Sequence, residues 1–183
     1  MEKKILVTYA SRSGSTASIA NEIGMTLAQL GRDVDVIPMR DIDDLAPYQA
    51  VVAGSAIQGG KWLPEAMQFI RKNRLALQQR PFAAFLVCIT LGLPNSEKYR
   101  QGIATWLAPV RILVRPVCEG YFAGSLDFSK ISLSFNSVLL RLAVALGALP
   151  KGDHRDMKKV YDWTCGLAAQ LKEEKSDESY DRL

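Results

Sequence analysis

Short continuous apolar runs alternate along the chain with segments of helical spacing. Runs of four to eight apolar residues without polar alternation are typical of strands that are covered on both faces. Because such strands alternate here with helices, we predict parallel pairing with right-handed crossovers. The expected fold is therefore an α/β domain of three layers, with a five-stranded parallel sheet between helices. The predicted strands lie at residues 5–10, 34–37, 50–53, 82–89 and 117–123.

Between the strands, apolar residues recur at the spacing of a helix face. Ile19, Ile23 and Leu27 mark the first helix, and Gly31 follows where a left-handed cap would end it. Residues 110–114 are compatible with either a strand or a helix. We expect a single domain over 1–172, with a helical insertion at about 125–152 and a charged C-terminal tail at 173–183. Further helices are predicted from Pro64, from Ser96, over 135–149 and over 157–171.

The first predicted strand runs directly into a loop of small hydroxyl residues and then into the first helix. A helix start leaves backbone N–H groups unpaired and carries a partial positive charge, so an anion fits there. Gly14 would let the backbone approach that anion closely. The loop has neither the Lys of a nucleoside triphosphate loop nor the three glycines of a dinucleotide fingerprint. The candidate anion-binding residues are Ser11, Arg12, Ser13, Gly14, Ser15 and Thr16.

Composition restricts the remaining chemistry. The 183 residues carry a net charge of +4, which favours anionic ligands or lipid headgroups over basic partners. The basic residues are scattered and no nucleic-acid-binding motif is present, so we expect no nucleic-acid partner. The three cysteines show no metal-ligand or disulfide spacing and are interpreted as buried thiols. The single histidine, His154, is interpreted as a surface residue.

Two features of the sequence bear on where in the cell the protein is expected. The opening residues show no secretory signal, which predicts a cytoplasmic protein. The apolar stretch 135–149 is too short to span a bilayer and is interrupted by Arg141. It could form an interfacial helix that holds the protein on the inner face of the membrane. A core helix over the sheet edge or a contact in a homo-oligomer remains the alternative.

The loop after the first strand, Ser-x-Ser-Gly-Ser-Thr, resembles the phosphate loop of the flavodoxin family. This resemblance implies a flavodoxin-like fold and FMN as a non-covalent cofactor, with residues 11–16 on the phosphate. It also implies that backbone groups of Gly54, Ser55, Ala56 and Ile57 contact the flavin. It further implies that backbone groups in the loop with Thr90, Leu91 and Gly92 contact the flavin. Trp62 either stacks on the flavin ring or packs its loop onto the second helix.

A narrower resemblance points to one branch of this family, the menaquinone-dependent protoporphyrinogen IX dehydrogenases of haem biosynthesis. It is carried by residues 54–62, 115–124, the apolar stretch 135–149 and the segments 152–156 and 160–163. The resemblance implies an FMN-dependent oxidoreductase that passes electrons from a reduced substrate to a quinone. Arg111, Arg115 and Lys151 are candidates for attracting carboxylates of that substrate.

Other functions remain open at this point. A flavodoxin-type electron carrier between protein partners is the first alternative, although carriers of that family are typically acidic. An NAD(P)H-dependent quinone or FMN reductase is the second, although no residue pattern marks a nicotinamide site. No side chain in the sequence stands out as an obligatory acid or base.

Overall fold

A computed structural model describes residues 4–94, 96–126 and 152–180. The strands in these ranges are β1 Lys4–Ala10, β2 Val34–Pro38, β3 Tyr48–Gln58, β4 Lys61–Trp62, β5 Phe82–Cys88, β6 Cys118–Ala123, β7 Ser125–Leu126 and β8 Gly152–Asp153. Five of them form the predicted parallel sheet in the order β2-β1-β3-β5-β6. The short strand β4 pairs antiparallel with the end of β3. Strands β7 and β8 form a separate two-stranded ribbon.

Helices cover both faces of the sheet, as predicted. One face packs on α1 (Ser15–Gln29) and α6 (Met157–Tyr180). The other face packs on the shorter helices and turns of the middle of the chain. These helices are α2 Pro64–Lys72, α3 Arg74–Gln78, α4 Arg100–Thr105 and α5 Ala108–Leu113. Single 3₁₀ turns occupy Met39–Asp41, Ile89–Gly92 and Ser96–Tyr99.

Strand alternation divides the apolar residues into two cores. Ile5 and Val7 point into the core under α1 and α6, whereas Leu6 between them lies in the core under α2 and α5. All seven residues of β5 are buried, as expected for a central strand with helices on both sides. The continuous apolar runs in the sequence are therefore explained, as predicted, by strands that are covered on both faces.

Most predicted strand limits agree with the structure to within one residue, and three elements show larger differences. The third strand was predicted over 50–53, but β3 extends to Gln58 because its last residues pair with β4 in a hairpin. The ambiguous stretch 110–114 belongs mostly to α5, with Pro109 in its first turn where a missing N–H costs nothing. The closing helix continues beyond residue 171 to Tyr180.

The buried-thiol prediction holds fully for Cys88, whereas Cys118 and Cys165 are half-buried. Burial raises the pKa of the Cys88 thiol to about 11, which makes it a poor nucleophile. Within the described ranges, no group of three potential metal-ligating side chains occurs and no helix is long and apolar enough to cross a membrane. The apolar stretch 135–149 lies outside those ranges.

Candidate functional site

The loops that follow β1, β3, β5 and β6 meet at one edge of the sheet. These strands run parallel, so their carboxyl ends lie on the same side. In open α/β sheets, ligands bind at this edge. The candidate residues at 11–16, 56–57 and 90–92 all lie here.

The loop between β1 and α1 presents an uncapped helix start. The helix begins after Gly14, whose φ of +90° is strained for any residue with a side chain. Among the residues that the structure describes, no side chain caps the first turn, and that turn contains no acidic residue. The Ser11 hydroxyl accepts a hydrogen bond from the Gly14 N–H at 3.0 Å, which holds the loop closed. The helix start therefore keeps its positive end for an anion.

Thr16 supplies a second, independent indication of a ligand. Its side chain is fully buried in the first turn of α1. Its hydroxyl has no hydrogen-bond partner among the residues that the structure describes. An unpaired buried hydroxyl costs free energy, so at this helix start it is a candidate partner for a bound group. A phosphate group offers the acceptor oxygens that this hydroxyl and the helix N–H groups require.

Arg12 lies in the same loop but has a protein partner. Its guanidinium forms a two-pronged ion pair with the Glu65 carboxylate, with Nη2 to Oε2 at 2.9 Å and a second bond from Nη1 to Oε1. This pair joins the loop to the first turn of α2. Partial burial alone would raise the pKa of Glu65, but the hydrogen bonds and the charge of Arg12 act in the opposite direction. The net effect is a lowered pKa, which keeps the carboxylate ionised. The Arg12 guanidinium is therefore paired with Glu65 in this structure. A direct contact between Arg12 and a phosphate stays a prediction.

Ser15 connects the same loop to the far end of the chain. Its hydroxyl lies 2.8 Å from the Ser125 hydroxyl and 3.1 Å from the Ser125 carbonyl oxygen. The Ser125 N–H also donates to it, at 3.2 Å. The side chain of Ser15 is thus already paired, and its contribution to an anion site would come from its backbone N–H. This link could not be read from the local pattern, because the two serines are 110 positions apart in the chain.

The loop after β3 is a two-residue hairpin. Gly59 and Gly60 have φ values of +56° and +72°, which are the two positive values of a type I′ turn. This geometry, rather than flexibility, accounts for the paired glycines. Ala56 and Ile57 precede the turn at the edge of the sheet and remain candidates for flavin contacts. Trp106, from the turn after α4, lies close to the hairpin. Its indole Nε1 is 3.1 Å from the position that a Cβ on Gly60 would take.

Trp62 belongs to the core rather than to an open cleft. Only 4% of its surface is exposed, and it packs among the residues under α2. This placement matches the packing alternative for its ring and leaves no face for stacking on a flavin. Its indole N–H has no hydrogen-bond partner in the described part of the chain.

Gly54 and Ser55 lie within the sheet. Gly54 pairs with Tyr9 on one side and Phe85 on the other, and Ser55 pairs with Ala10 and Leu86. The Ser55 hydroxyl accepts the Leu63 N–H at 3.0 Å and donates to the Ala56 carbonyl at 2.8 Å. Both residues therefore have structural roles, and we do not propose them as flavin ligands.

The loop after β5 begins with the 3₁₀ turn Ile89–Gly92, in which Thr90 and Leu91 are half-buried. Gly92 packs against His154, because a Cβ on Gly92 would lie 2.6 Å from the His154 Cβ. His154 was interpreted as a surface residue, yet it is half-buried at this edge. Sequence gave no signal for the contact, since it joins two loops far apart in the chain.

Arg111 lies away from this edge. It forms a two-pronged pair with Glu119, near the amino end of β6, with both N···O distances 2.6 Å. Arg115 precedes the same end of the strand. Both arginines thus lie toward the opposite end of the sheet from the candidate cofactor site. That they attract substrate carboxylates stays a prediction. Lys151, the third candidate, lies outside the described residues.

The Tyr121 hydroxyl completes the cluster at Arg111 and provides a testable pH dependence. It donates to Glu119 and accepts from Arg111 at 3.0 Å, and burial together with the Glu119 charge raises the pKa of Tyr121 to about 12. The folded state thus favours the protonated phenol. The resulting stabilisation is present below pH 10 and is lost as the pH rises from 10 to about 12.

We therefore expect the free energy of unfolding of wild type to fall more steeply across this pH range than that of Tyr121→Phe. Urea melts at several pH values measure the difference, and Tyr99→Phe, at an exposed tyrosine, serves as control. Parallel pH profiles for wild type and Tyr121→Phe would contradict the assignment.

Comparison with known protein families agrees with this geometry. The family model described as a flavodoxin domain matches residues 6–141, which cover the phosphate loop, most of β1 and the other four strands of the main sheet. The chain belongs to the flavodoxin domain family. Membership of the flavodoxin family supports FMN as the cofactor, in agreement with the anion site at α1.

Two relatives of this flavodoxin-domain protein differ in function. The protoporphyrinogen IX dehydrogenase [quinone] of Escherichia coli K12 is 28% identical over 96 residues, or 51% of this chain and 53% of that protein. The chain thus spans about half the length of this relative. A probable flavodoxin 1 of Bacillus subtilis 168 is 30% identical over 125 residues, or 62% of this chain and 79% of that protein.

Solved flavodoxin structures share the fold. Oxidised flavodoxin 2 of Bacillus cereus has a TM-score of 0.58 and 20% identity, covering 91% of this chain and 99% of that one. The Fusobacterium nucleatum flavodoxin bound to flavin mononucleotide has a TM-score of 0.53 and 14% identity, covering 92% and 99%. At these identities the likeness supports the fold.

Proposed function

We propose that this flavodoxin-domain protein is an FMN-dependent oxidoreductase that passes electrons from a reduced organic substrate to a quinone. The observation that carries the FMN site is the buried Thr16 hydroxyl at the start of α1, which has no hydrogen-bond partner in the described part of the chain. Bound FMN would supply the redox chemistry, accepting two electrons from one partner and releasing them to another. The protein's contribution is to bind, orient and shield that group.

Residues 11–16 would hold the phosphate through backbone N–H groups and the hydroxyls of Ser13 and Thr16. Ser11 and Arg12 act through the loop itself, the first by accepting the Gly14 N–H and the second by its pair with Glu65. At the other end, Ala56 and Ile57 before the hairpin and the turn with Thr90, Leu91 and Gly92 would border the flavin ring. Both loops lie at the same edge of the sheet as the phosphate loop.

Two observations support an enzyme over a carrier. The chain has a net charge of +4, whereas docking on a basic reductase is served by an acidic surface. The E. coli relative is a quinone-linked protoporphyrinogen IX dehydrogenase. A tetrapyrrole with propionate groups is an anionic, apolar substrate of the kind that a cationic protein would attract. A membrane quinone is the proposed acceptor, with residues 135–149 as the proposed membrane contact.

A carrier function is the second candidate, and the B. subtilis relative favours it. That probable flavodoxin matches a longer stretch, at slightly higher identity, than the dehydrogenase does. In this case the partners would be redox proteins instead of a small substrate and a quinone.

Anaerobic turnover separates these functions. We expect purified protein reconstituted with FMN to be reduced by protoporphyrinogen and reoxidised by a menaquinone analogue over many cycles. The measurement is the flavin absorbance together with porphyrin fluorescence, with FMN alone as control. Rapid one-electron exchange with a flavodoxin reductase, without porphyrin formation above the control, would instead support the carrier. A protein that binds no FMN would refute both.

A further inference from the structure

The β7–β8 ribbon connects the two loops that would hold opposite ends of FMN. Its first strand begins at Ser125, which is bonded to Ser15 in the phosphate loop by three contacts of 2.8–3.2 Å. The two strands pair antiparallel, with Ser125 opposite Asp153 and Leu126 opposite Gly152. The position of the second strand is therefore tied to the phosphate loop.

The second strand delivers His154 to the loop after β5. An ideal Cβ on Gly92 would lie 2.6 Å from the Cβ and 2.8 Å from the Cγ of His154, so only glycine leaves room for the imidazole. Arg155 fixes the neighbouring backbone, because its N–H and its Nε donate to Asp153 Oδ1 at 3.1 and 2.8 Å. His154 thus has a defined place on the turn Ile89–Gly92.

The chemistry of this place depends on what the turn borders. Under the proposed function, it borders the flavin ring. An imidazole provides an N–H donor when neutral and two donors with a positive charge when protonated. Reduction of a flavin increases the negative charge on its ring, so a nearby donor binds the reduced form more tightly than the oxidised form.

We propose that His154 is a flavin-contacting residue, held on Gly92 by the β7–β8 ribbon, and that it favours reduced FMN over oxidised FMN. This inference rests on the proposed FMN site. The ribbon would then set the distance between the phosphate loop and the His154 side chain that contacts the flavin ring.

The wild-type protein allows a direct test, because its one histidine gives a single set of imidazole signals. We expect oxidised FMN to shift the imidazole ¹H and ¹⁵N resonances, and inorganic phosphate alone to leave them unchanged. An equal shift with phosphate alone would mean that the effect travels through Ser15 and Ser125, and would overturn the contact. Unchanged resonances with FMN bound would overturn it as well.

Variants measure the energetic effect. We expect His154→Leu to bind oxidised FMN within about threefold of wild type but reduced FMN about tenfold more weakly. For a two-electron couple this corresponds to a midpoint potential about 30 mV lower. His154→Gln, which keeps a donor, should fall between the two.

Lys158→Gln is the matched control, because it removes an exposed charge from the first turn of α6, four residues after His154. Its midpoint potential should equal that of wild type. An unchanged potential in a folded, FMN-loaded His154→Leu would refute the proposal while leaving the FMN site intact. Failure of wild type to bind FMN would refute the site itself, and with it the role of His154.

Discussion

Replacing Thr16 with valine is expected to weaken FMN binding by about 10- to 100-fold, which is the effect of losing one hydrogen bond to a charged group. Valine has nearly the shape of threonine, so the first turn of α1 should keep its packing. The change removes only the buried hydroxyl that has no partner in the described structure. Fluorescence titration of FMN in phosphate-free buffer measures the dissociation constant.

The same substitution should leave the FMN-free protein as stable as wild type, or more stable by about 1 kcal/mol, because an unpaired buried hydroxyl is removed. Thermal melts of the FMN-free proteins test this. Thr105→Val is the matched control, since the Thr105 hydroxyl donates to the Gly102 carbonyl in the exposed helix α4. An FMN affinity of Thr16→Val equal to that of wild type would rule out a phosphate contact at this hydroxyl.

Replacing Gly54 with alanine is expected to destabilise the fold by about 3 kcal/mol or more, since overpacking of a core has costs of this order. The new Cβ would lie 1.9–2.4 Å from three ring atoms of Phe85. That ring cannot move aside easily, because it is fully buried and packs against Phe122 and Trp163 at centroid distances of 6.0 and 6.3 Å. For a chain of this length, the melting temperature should fall by about 6–12 °C.

Gly102→Ala is the matched control, because nothing lies within 4 Å of its Cβ position and alanine favours helix α4. Its stability should equal or exceed that of wild type. In the double variant Gly54→Ala/Phe85→Leu, the smaller side chain should recover part of the loss, so the two effects should not add. A fully additive double variant would contradict the steric account. FMN affinity per folded molecule should be unchanged in Gly54→Ala, since we place Gly54 in the sheet and not at the flavin.

The phosphate loop could be predicted from sequence because its signal is local. Residues 11–16 lie in one stretch between a strand and a helix, and both are visible in the apolar pattern. The parallel pairing and the three layers likewise follow from alternation and from general rules of chain connection. These features depend on residues that are close together along the chain, so the local sequence was sufficient to predict them.

The contacts that the sequence did not reveal depend on partners across the fold. Gly54 is glycine because of Phe85, and the guanidinium of Arg12 is held by Glu65. Trp62 follows a hairpin that turns its ring into the core. A resemblance identifies the loop in which a residue lies, but the direction of its side chain is set by packing against elements that are remote in sequence.

The contact between Ser15 and Ser125 also has a consequence for folding. The two residues are 110 positions apart, so the hydroxyl of the phosphate loop acquires its partner only after most of the chain is available. Contacts of such long range carry a large loop-closure cost and form late. During synthesis from the N-terminus, β1, α1 and β2 would emerge well before the ribbon that completes this edge. Cofactor capture is therefore expected to follow chain completion rather than to guide the early steps of folding.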